Sequence, residues 1–93
     1  RRVTLKVDAR NAPYVLTKPL HASQEVVEKT IEGAIVSIEV QHNFELERLI
    51  LGFGDGIEVL KPAFLRRRIK NKLRFSLSRY EKDGEGDVES TNS

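Results

Sequence analysis

The chain has 93 residues, a net charge of +2, and neither cysteine nor methionine. This length fits one small domain, and the lack of cysteine excludes a disulfide framework, a cysteine-ligated zinc site and a cysteine nucleophile. No apolar run is long enough to span a membrane. Because the sequence opens Arg-Arg-Val rather than with Met, we expect it to be a piece of a longer protein.

The first half of the chain predicts a strand, a helix and a hairpin. "RRVTLKVD" alternates apolar and polar residues with the period of a half-buried strand. A short helix is predicted over 12–18, with Pro13 in its first turn and Pro19 closing it. "SQEVVEKTI" and "AIVSIEVQ" then predict two hairpin strands on either side of Glu32-Gly33, although the intervening residues are not a typical tight two-residue turn pair.

The second half predicts a helix, a strand and a last, longer helix. Asn43 can cap the first of these helices, and Glu45 and Glu47 follow in its first turns, where the helix dipole favours acidic residues. Leu46, Leu49, Ile50 and Phe53 have the spacing of one helix face. "IEVL" predicts a short strand. Pro62 opens the final helix, whose apolar stripe is Leu65, Ile69, Leu73, Leu77 and Tyr80.

The element order is β-α-β-β-α-β followed by an extra helix. This order is typical of an α+β, ferredoxin-like βαββαβ sandwich, in which a four-stranded antiparallel sheet carries two helices on one face. We expect this domain to cover residues 1–82. Residues 83–93 are acidic and nearly without apolar side chains, so they are predicted to be a disordered tail.

Three glycines, Gly52, Gly54 and Gly56, stand where the fourth predicted strand follows a helix. A phosphate-binding loop joins a strand to the N-terminus of a helix, where N–H groups point at the anion. These glycines instead follow a helix C-terminus, where carbonyl groups are exposed and the dipole repels anions. They are predicted to form a structural cap and turn.

The chain offers no set of residues for catalysis or metal binding. His21 and His42 are the only histidines, and neither has carboxylates at ligand spacing. We therefore expect no enzyme activity, no metal and no cofactor. Two interpretations of "LHASQ" stay open: a turn in which these side chains bond to the backbone, or a contact made by His21 and Gln24 to a ligand or partner.

The basic helix is the strongest functional signal. Residues 61–82 hold nine Lys and Arg residues against one acidic residue, and clustered positive charge attracts polyanions. Consecutive residues point about 100° apart on a helix, so the three adjacent arginines cannot all face one ligand. Arg67, Lys70 and Arg74 form the predicted nucleic-acid or anion-binding set. The alternative is a solvated helix whose charge is balanced by the acidic middle of the chain.

Several spaced motifs resemble one family. "PLHASQ" and "FELERLILGFGDGIEVLKPAFLRRRI" are similar to the C-terminal extension, the WCX region, of bacterial WYL-domain transcriptional regulators. The matching positions are Leu20-His21, Ser23-Gln24, residues 46–54, residues 57–62, Leu65-Arg66 and Tyr80. The resemblance covers about residues 3–80.

The resemblance implies a ferredoxin-like regulatory module of a cytoplasmic DNA-binding protein. Its partners would be the WYL and helix-turn-helix domains of its own chain, a second subunit in a homodimer, and DNA through the full-length protein. It would help to transmit an effector signal, with a nucleic acid or nucleotide as the effector. The alternative is a free-standing ferredoxin-like nucleic-acid-binding module. A small acyl-phosphate hydrolase is a third class, but it would need an anion loop at a helix start.

Overall fold

The computed structural model describes residues 1–84, with side chains described through residue 81. Four strands, three α-helices and a 3₁₀ turn at Gly54–Gly56 make up this part of the chain. In chain order the strands and α-helices are β1 Arg2–Asp8, α1 Ala12–Thr17, β2 Glu25–Thr30, β3 Gly33–Glu39, α2 Phe44–Gly52, β4 Ile57–Lys61 and α3 Ala63–Gly84.

The strands form one sheet in the order β2-β3-β1-β4, and all neighbours in it are antiparallel. Each helical crossover therefore skips one strand, which is the arrangement of a split βαβ fold. The predicted ferredoxin-like α+β sandwich with an added C-terminal helix is confirmed.

One face of the sheet carries the hydrophobic core. Val3, Leu5 and Val7 of β1 are at most 1% exposed, and Leu5 pairs with Val36 of β3 in register. All three helices add side chains to the same core: Ala12, Val15, Leu46, Ile50, Leu65 and Ile69. The period-two pattern of β1 and β4 thus buries one face, as expected for an antiparallel sheet covered on one side, whereas every residue of the edge strand β2 is exposed.

The β2–β3 hairpin is tighter than its sequence suggests. Thr30 pairs with Gly33, which leaves only Ile31 and Glu32 as the connection. Gly33 has φ of +139°, and a Cβ there would lie 1.9 Å from the carbonyl oxygen of Val7. Only glycine fits this position, so the turn depends on it rather than on a standard two-residue pair.

The glycine stretch ends α2 and turns the chain into β4. At the start of α2, the Asn43 side chain accepts a hydrogen bond from the N–H of Leu46, 2.8 Å away. At its end, Gly54 has φ of +59°, the left-handed conformation that commonly follows a helix. Gly56 is buried against the Asn11 side chain, whereas a Cβ on Gly52 would meet nothing within 4 Å.

The last helix starts in the core and leaves it. Leu65 is fully buried and Ile69 is 6% exposed, but Leu73 and Leu77 are 45% and 56% exposed. The helix continues to Gly84, two residues past the boundary predicted at 82. Residues 85–93, most of the predicted acidic tail, lie outside the described residues. None of the helices within residues 1–84 has the length and apolarity needed to cross a membrane.

Candidate interaction surface on the C-terminal helix

A buried carboxylate on α2 fixes the position of α3. Glu47 is 1% exposed, and Arg68 of α3 donates hydrogen bonds to both of its carboxylate oxygens, at 2.6 and 3.3 Å. One turn further along α3, Lys72 Nζ lies 3.4 Å from Glu47 Oε1. His42 Nε2 contacts Glu47 Oε2 from the loop before α2. Three basic groups on two elements therefore converge on one carboxylate.

The hydrogen bonds from Arg68 hold the pKa of Glu47 at about 2, below its ordinary value of 4.5. Burial alone would raise this pKa, but contacts from His42 and Lys72 lower it further. Glu47 in turn raises the pKa of the Arg68 guanidinium. The Glu47 carboxylate is therefore ionised at neutral pH and joins α2 to α3 by charge-assisted hydrogen bonds with Arg68, the stronger class.

The sequence interpretation missed this cluster. The sequence places Glu47 in the first turns of α2, where the dipole favours an acid, and that interpretation makes no prediction of its burial. Around the helix axis Glu47 lies between Ile50 and Leu51, about 60° and 40° away, and both of these side chains pack on the core. A charged residue inside an apolar arc was the available signal that it needs buried partners.

The three adjacent arginines point to three different places. Arg66 donates to Glu58 at 2.6 Å and to the carbonyl oxygen of Val59 at 2.8 Å. Arg68 binds Glu47, as described above. Arg67 is exposed and has no ion pair with a side chain described between residues 1 and 81. Two of the three arginines therefore pair with groups within the domain itself.

The predicted anion-binding set shares an outward surface of α3. Residues 67 and 74 are seven positions apart and point within about 20° of each other, with residue 70 about 60° from residue 67. All three side chains are exposed. Lys70 and Arg74 line an open groove of about 400 Å³ between α3 and β4, whereas Arg67 does not. The arrangement can attract an anion, and its binding role stays a prediction.

The floor of this groove is apolar. Ile57 and Val59 of β4 form one side of this floor, and Ile69, Leu73 and Leu77 of α3 form the other side. Beyond the groove, Phe75 and Tyr80 are 74% and 77% exposed. The predicted apolar stripe is therefore buried only at Leu65 and Ile69. Its C-terminal half is available for contact with something outside residues 1–81.

The "LHASQ" residues tie α1, β2 and β3 together. Ser23 Oγ accepts a hydrogen bond from the N–H of Glu39 at 2.7 Å. The same hydroxyl donates a hydrogen bond to the carbonyl oxygen of Glu39 at 3.2 Å. The Gln24 amide accepts from the N–H of Leu20 and donates to the carbonyl oxygen of Val15. Both ends of Gln24 are thus engaged by backbone, which fits the turn interpretation, and a contact of Gln24 with a ligand or partner stays a prediction.

His21 belongs to the same turn but is exposed. Its Nδ1 accepts a hydrogen bond from the N–H of Ser23 at 3.1 Å and lies 2.7 Å from Ser23 Oγ. A role for His21 in a ligand or partner contact stays a prediction. Among the residues that the structure describes, no group of three or more His, Cys, Asp and Glu side chains is placed to hold a metal ion.

The fold and this surface define a small split-βαβ module with a projecting basic helix. The chain belongs to the WCX domain family, whose family model matches residues 1–75. This confirms the resemblance found in the sequence motifs. No curated protein sequence matches the chain.

Proposed function

We propose that this chain is the C-terminal regulatory module of a bacterial WYL-family transcriptional regulator. It acts by contact and not by catalysis, in the cytoplasm, beside WYL and helix-turn-helix domains of the same chain and in a homodimer. The role of the module is to pass an effector signal between domains or subunits. Membership of the WCX domain family supports this proposal.

The exposed C-terminal half of α3 is the observation that carries the proposal. Among the side chains described through residue 81, Leu73, Leu77 and Tyr80 share one face of this helix and are 45%, 56% and 77% exposed. Phe75 is 74% exposed on the opposite face. The shape is elongated, 45 × 27 × 18 Å. Single exposed apolar residues are normal, but a cluster on a projecting element is typical of an interaction site.

Cells that express the full-length regulator provide the test. The Leu73→Asp/Leu77→Asp variant places two charges on this surface, and its transcript profile should resemble that of a deletion of the regulator. The matched control is Val27→Asp/Ile31→Asp, which alters two apolar side chains that are 58% and 94% exposed on the β2–β3 hairpin. This control should give the wild-type profile at equal protein abundance.

The proposal fails if the α3 variant regulates as the wild type does. Thermal unfolding of the purified chain shows whether each variant is folded, and both should be, because neither pair is buried. Loss of regulation in both variants to the same degree would also contradict a specific role for α3.

A second function, binding of single-stranded nucleic acid, is favoured by one observation. Arg67, Lys70 and Arg74 have no ion pair with a side chain described through residue 81, unlike the neighbouring basic residues. Such binding would be weak, sequence-tolerant and steeply salt-dependent, because it would come from phosphate neutralisation. Fluorescence anisotropy with a labelled oligonucleotide at low and physiological salt tests it. No binding at low salt, or binding unchanged by Arg67→Ala/Lys70→Ala, would leave only protein contacts for this helix.

A further inference from the structure

The groove between α3 and β4 has two different rims above its apolar floor. Arg66, Lys70 and Arg74, each one turn apart, form the rim on α3, and Asp55 and Glu58 lie on the opposite side. Glu58 is already paired with Arg66 at 2.6 Å. Lys70 and Arg74 have no such partner among the described side chains, so the C-terminal part of the α3 rim keeps its positive charge.

The groove suits a helix better than an added strand. Arg66 donates to the carbonyl oxygen of Val59, which occupies a backbone acceptor on β4 that an added strand would need. Residues 66–77 of α3 span roughly 17 Å at 1.5 Å per residue, a length that about three turns of a partner helix would match. An amphipathic helix binds such a groove through side chains at i, i+3, i+4 and i+7.

Charge disfavours a second copy of this chain as the occupant. In a symmetric pair, the same surface patch of both copies meets around a two-fold axis. An axis through the Leu73–Leu77 floor would bring each Arg74 close to its own symmetry mate, and like charges across an interface oppose association. A partner with negative charge beside its apolar stripe has no such conflict and would neutralise Lys70 and Arg74.

We propose that the α3–β4 groove binds an amphipathic helix that carries acidic residues along one side of an aliphatic stripe. The aliphatic side chains pack on Leu73, Leu77 and Val59, and the acidic ones pair with Lys70 and Arg74. This inference rests on the proposed function, because it uses the same surface of α3 and specifies the chemistry of the partner.

Two labelled helical peptides of about 18 residues, long enough to form a helix, test the inference by fluorescence anisotropy with the full chain. Both carry the same leucine stripe, flanked by Glu in one and by Lys in the other. The Glu peptide should bind more tightly. Lys70→Glu/Arg74→Glu should weaken its binding about tenfold and reverse the preference between the peptides, because two attractive pairs become repulsive.

Matched variants separate the groove from general charge. Arg67→Glu/Arg79→Glu changes the net charge of α3 by the same amount as Lys70→Glu/Arg74→Glu, but neither Arg67 nor Arg79 lines the groove. This variant should therefore change the affinity for the Glu peptide less than about twofold. Leu73→Asp/Leu77→Asp should abolish binding of both peptides. Leu73→Ala/Leu77→Ala, which introduces no charge, should weaken both equally.

Four results would overturn the inference, and the first two are that the chain binds neither peptide or binds both equally. The third is that the chain forms a dimer that Leu73→Asp/Leu77→Asp abolishes. The fourth is that the peptide binds much more tightly once the acidic tail is neutralised by Asp83→Asn/Glu85→Gln/Asp87→Asn/Glu89→Gln. The third result would show that a second copy of the chain occupies the groove, and the fourth would show that the acidic tail occupies it. If charge reversal has no effect but the leucine variants still abolish regulation in the cell, the inference alone fails and the proposed function stands.

Discussion

Replacing the buried Glu47 carboxylate by an amide tests how α3 is held. Glu47→Gln keeps the side-chain shape but leaves Arg68 and Lys72 without their counter-charge. A pKa lowered from 4.5 to about 2 corresponds to roughly 3 kcal/mol between the ionised and neutral forms. At pH 7 we therefore expect Glu47→Gln to lower the free energy of unfolding by about 3 kcal/mol.

The pH dependence has a definite sign. Because the pKa of Glu47 is lower in the folded state, its stabilisation is complete above about pH 4.5. It is lost as the pH falls from there towards the folded-state pKa of about 2. The gap in stability between the wild type and Glu47→Gln should therefore shrink over this window.

Urea unfolding followed by far-ultraviolet circular dichroism, at pH 7 and at pH 3, measures the stability lost in Glu47→Gln and how that loss changes with pH. The control is Glu58→Gln, since Glu58 pairs with Arg66 but its side chain is 50% exposed. Exposed pairs contribute at most about 1 kcal/mol, so this control should change little. A gap below about 1 kcal/mol at pH 7, or an equal gap at both pH values, would refute the role assigned to Glu47.

Three further predictions concern the turns and the core. Gly33→Ala should cost more than about 2 kcal/mol of stability, because Gly33 has a positive φ and a carbonyl oxygen blocks the added Cβ. Gly54→Ala should cost about 1 kcal/mol, because Gly54 has a positive φ but open space around it. A larger loss for Gly54→Ala than for Gly33→Ala in urea unfolding would contradict this prediction. Ser23→Ala should cost about 1 kcal/mol, the ordinary net contribution of a hydrogen bond, because it removes the exposed bonds to Glu39 of β3. Faster amide exchange at the β2–β3 end of the sheet would show the cause. Leu65→Ala should cost about 2–5 kcal/mol and Leu77→Ala under about 1 kcal/mol; similar losses at both would mean that the C-terminal half of α3 is packed within the domain.

Most of the fold was predictable because its signals are local. The alternation in β1, the Asn43 cap and the glycines after α2 each specify an element from its own residues. With the elements in βαββαβ order, few topologies remain. The length of the β2–β3 connection was not predictable, because it depends on the contact between Gly33 and the backbone of β1, which lies far away in the sequence.

The interaction surface was predictable only in part, because pairing depends on tertiary contacts. Helical spacing places Arg67, Lys70 and Arg74 near one another, and the structure brings Lys70 and Arg74 to the groove. Spacing alone could not show that Arg68 is bound to Glu47, since these residues lie on different helices. The apolar stripe of α3 is continuous in sequence, but the domain covers only its first two turns.

Hydroxyl-radical footprinting tests most directly the central claim that the exposed half of α3 is a contact surface of the regulator. Oxidation rates of Leu73, Leu77 and Tyr80 would be compared between this chain alone and the proposed full-length regulator, with the exposed hairpin residue Ile31 as the internal reference. The account predicts slower oxidation of the three α3 residues in the full-length protein and an unchanged rate at Ile31. Equal rates at the α3 residues in both samples would contradict it.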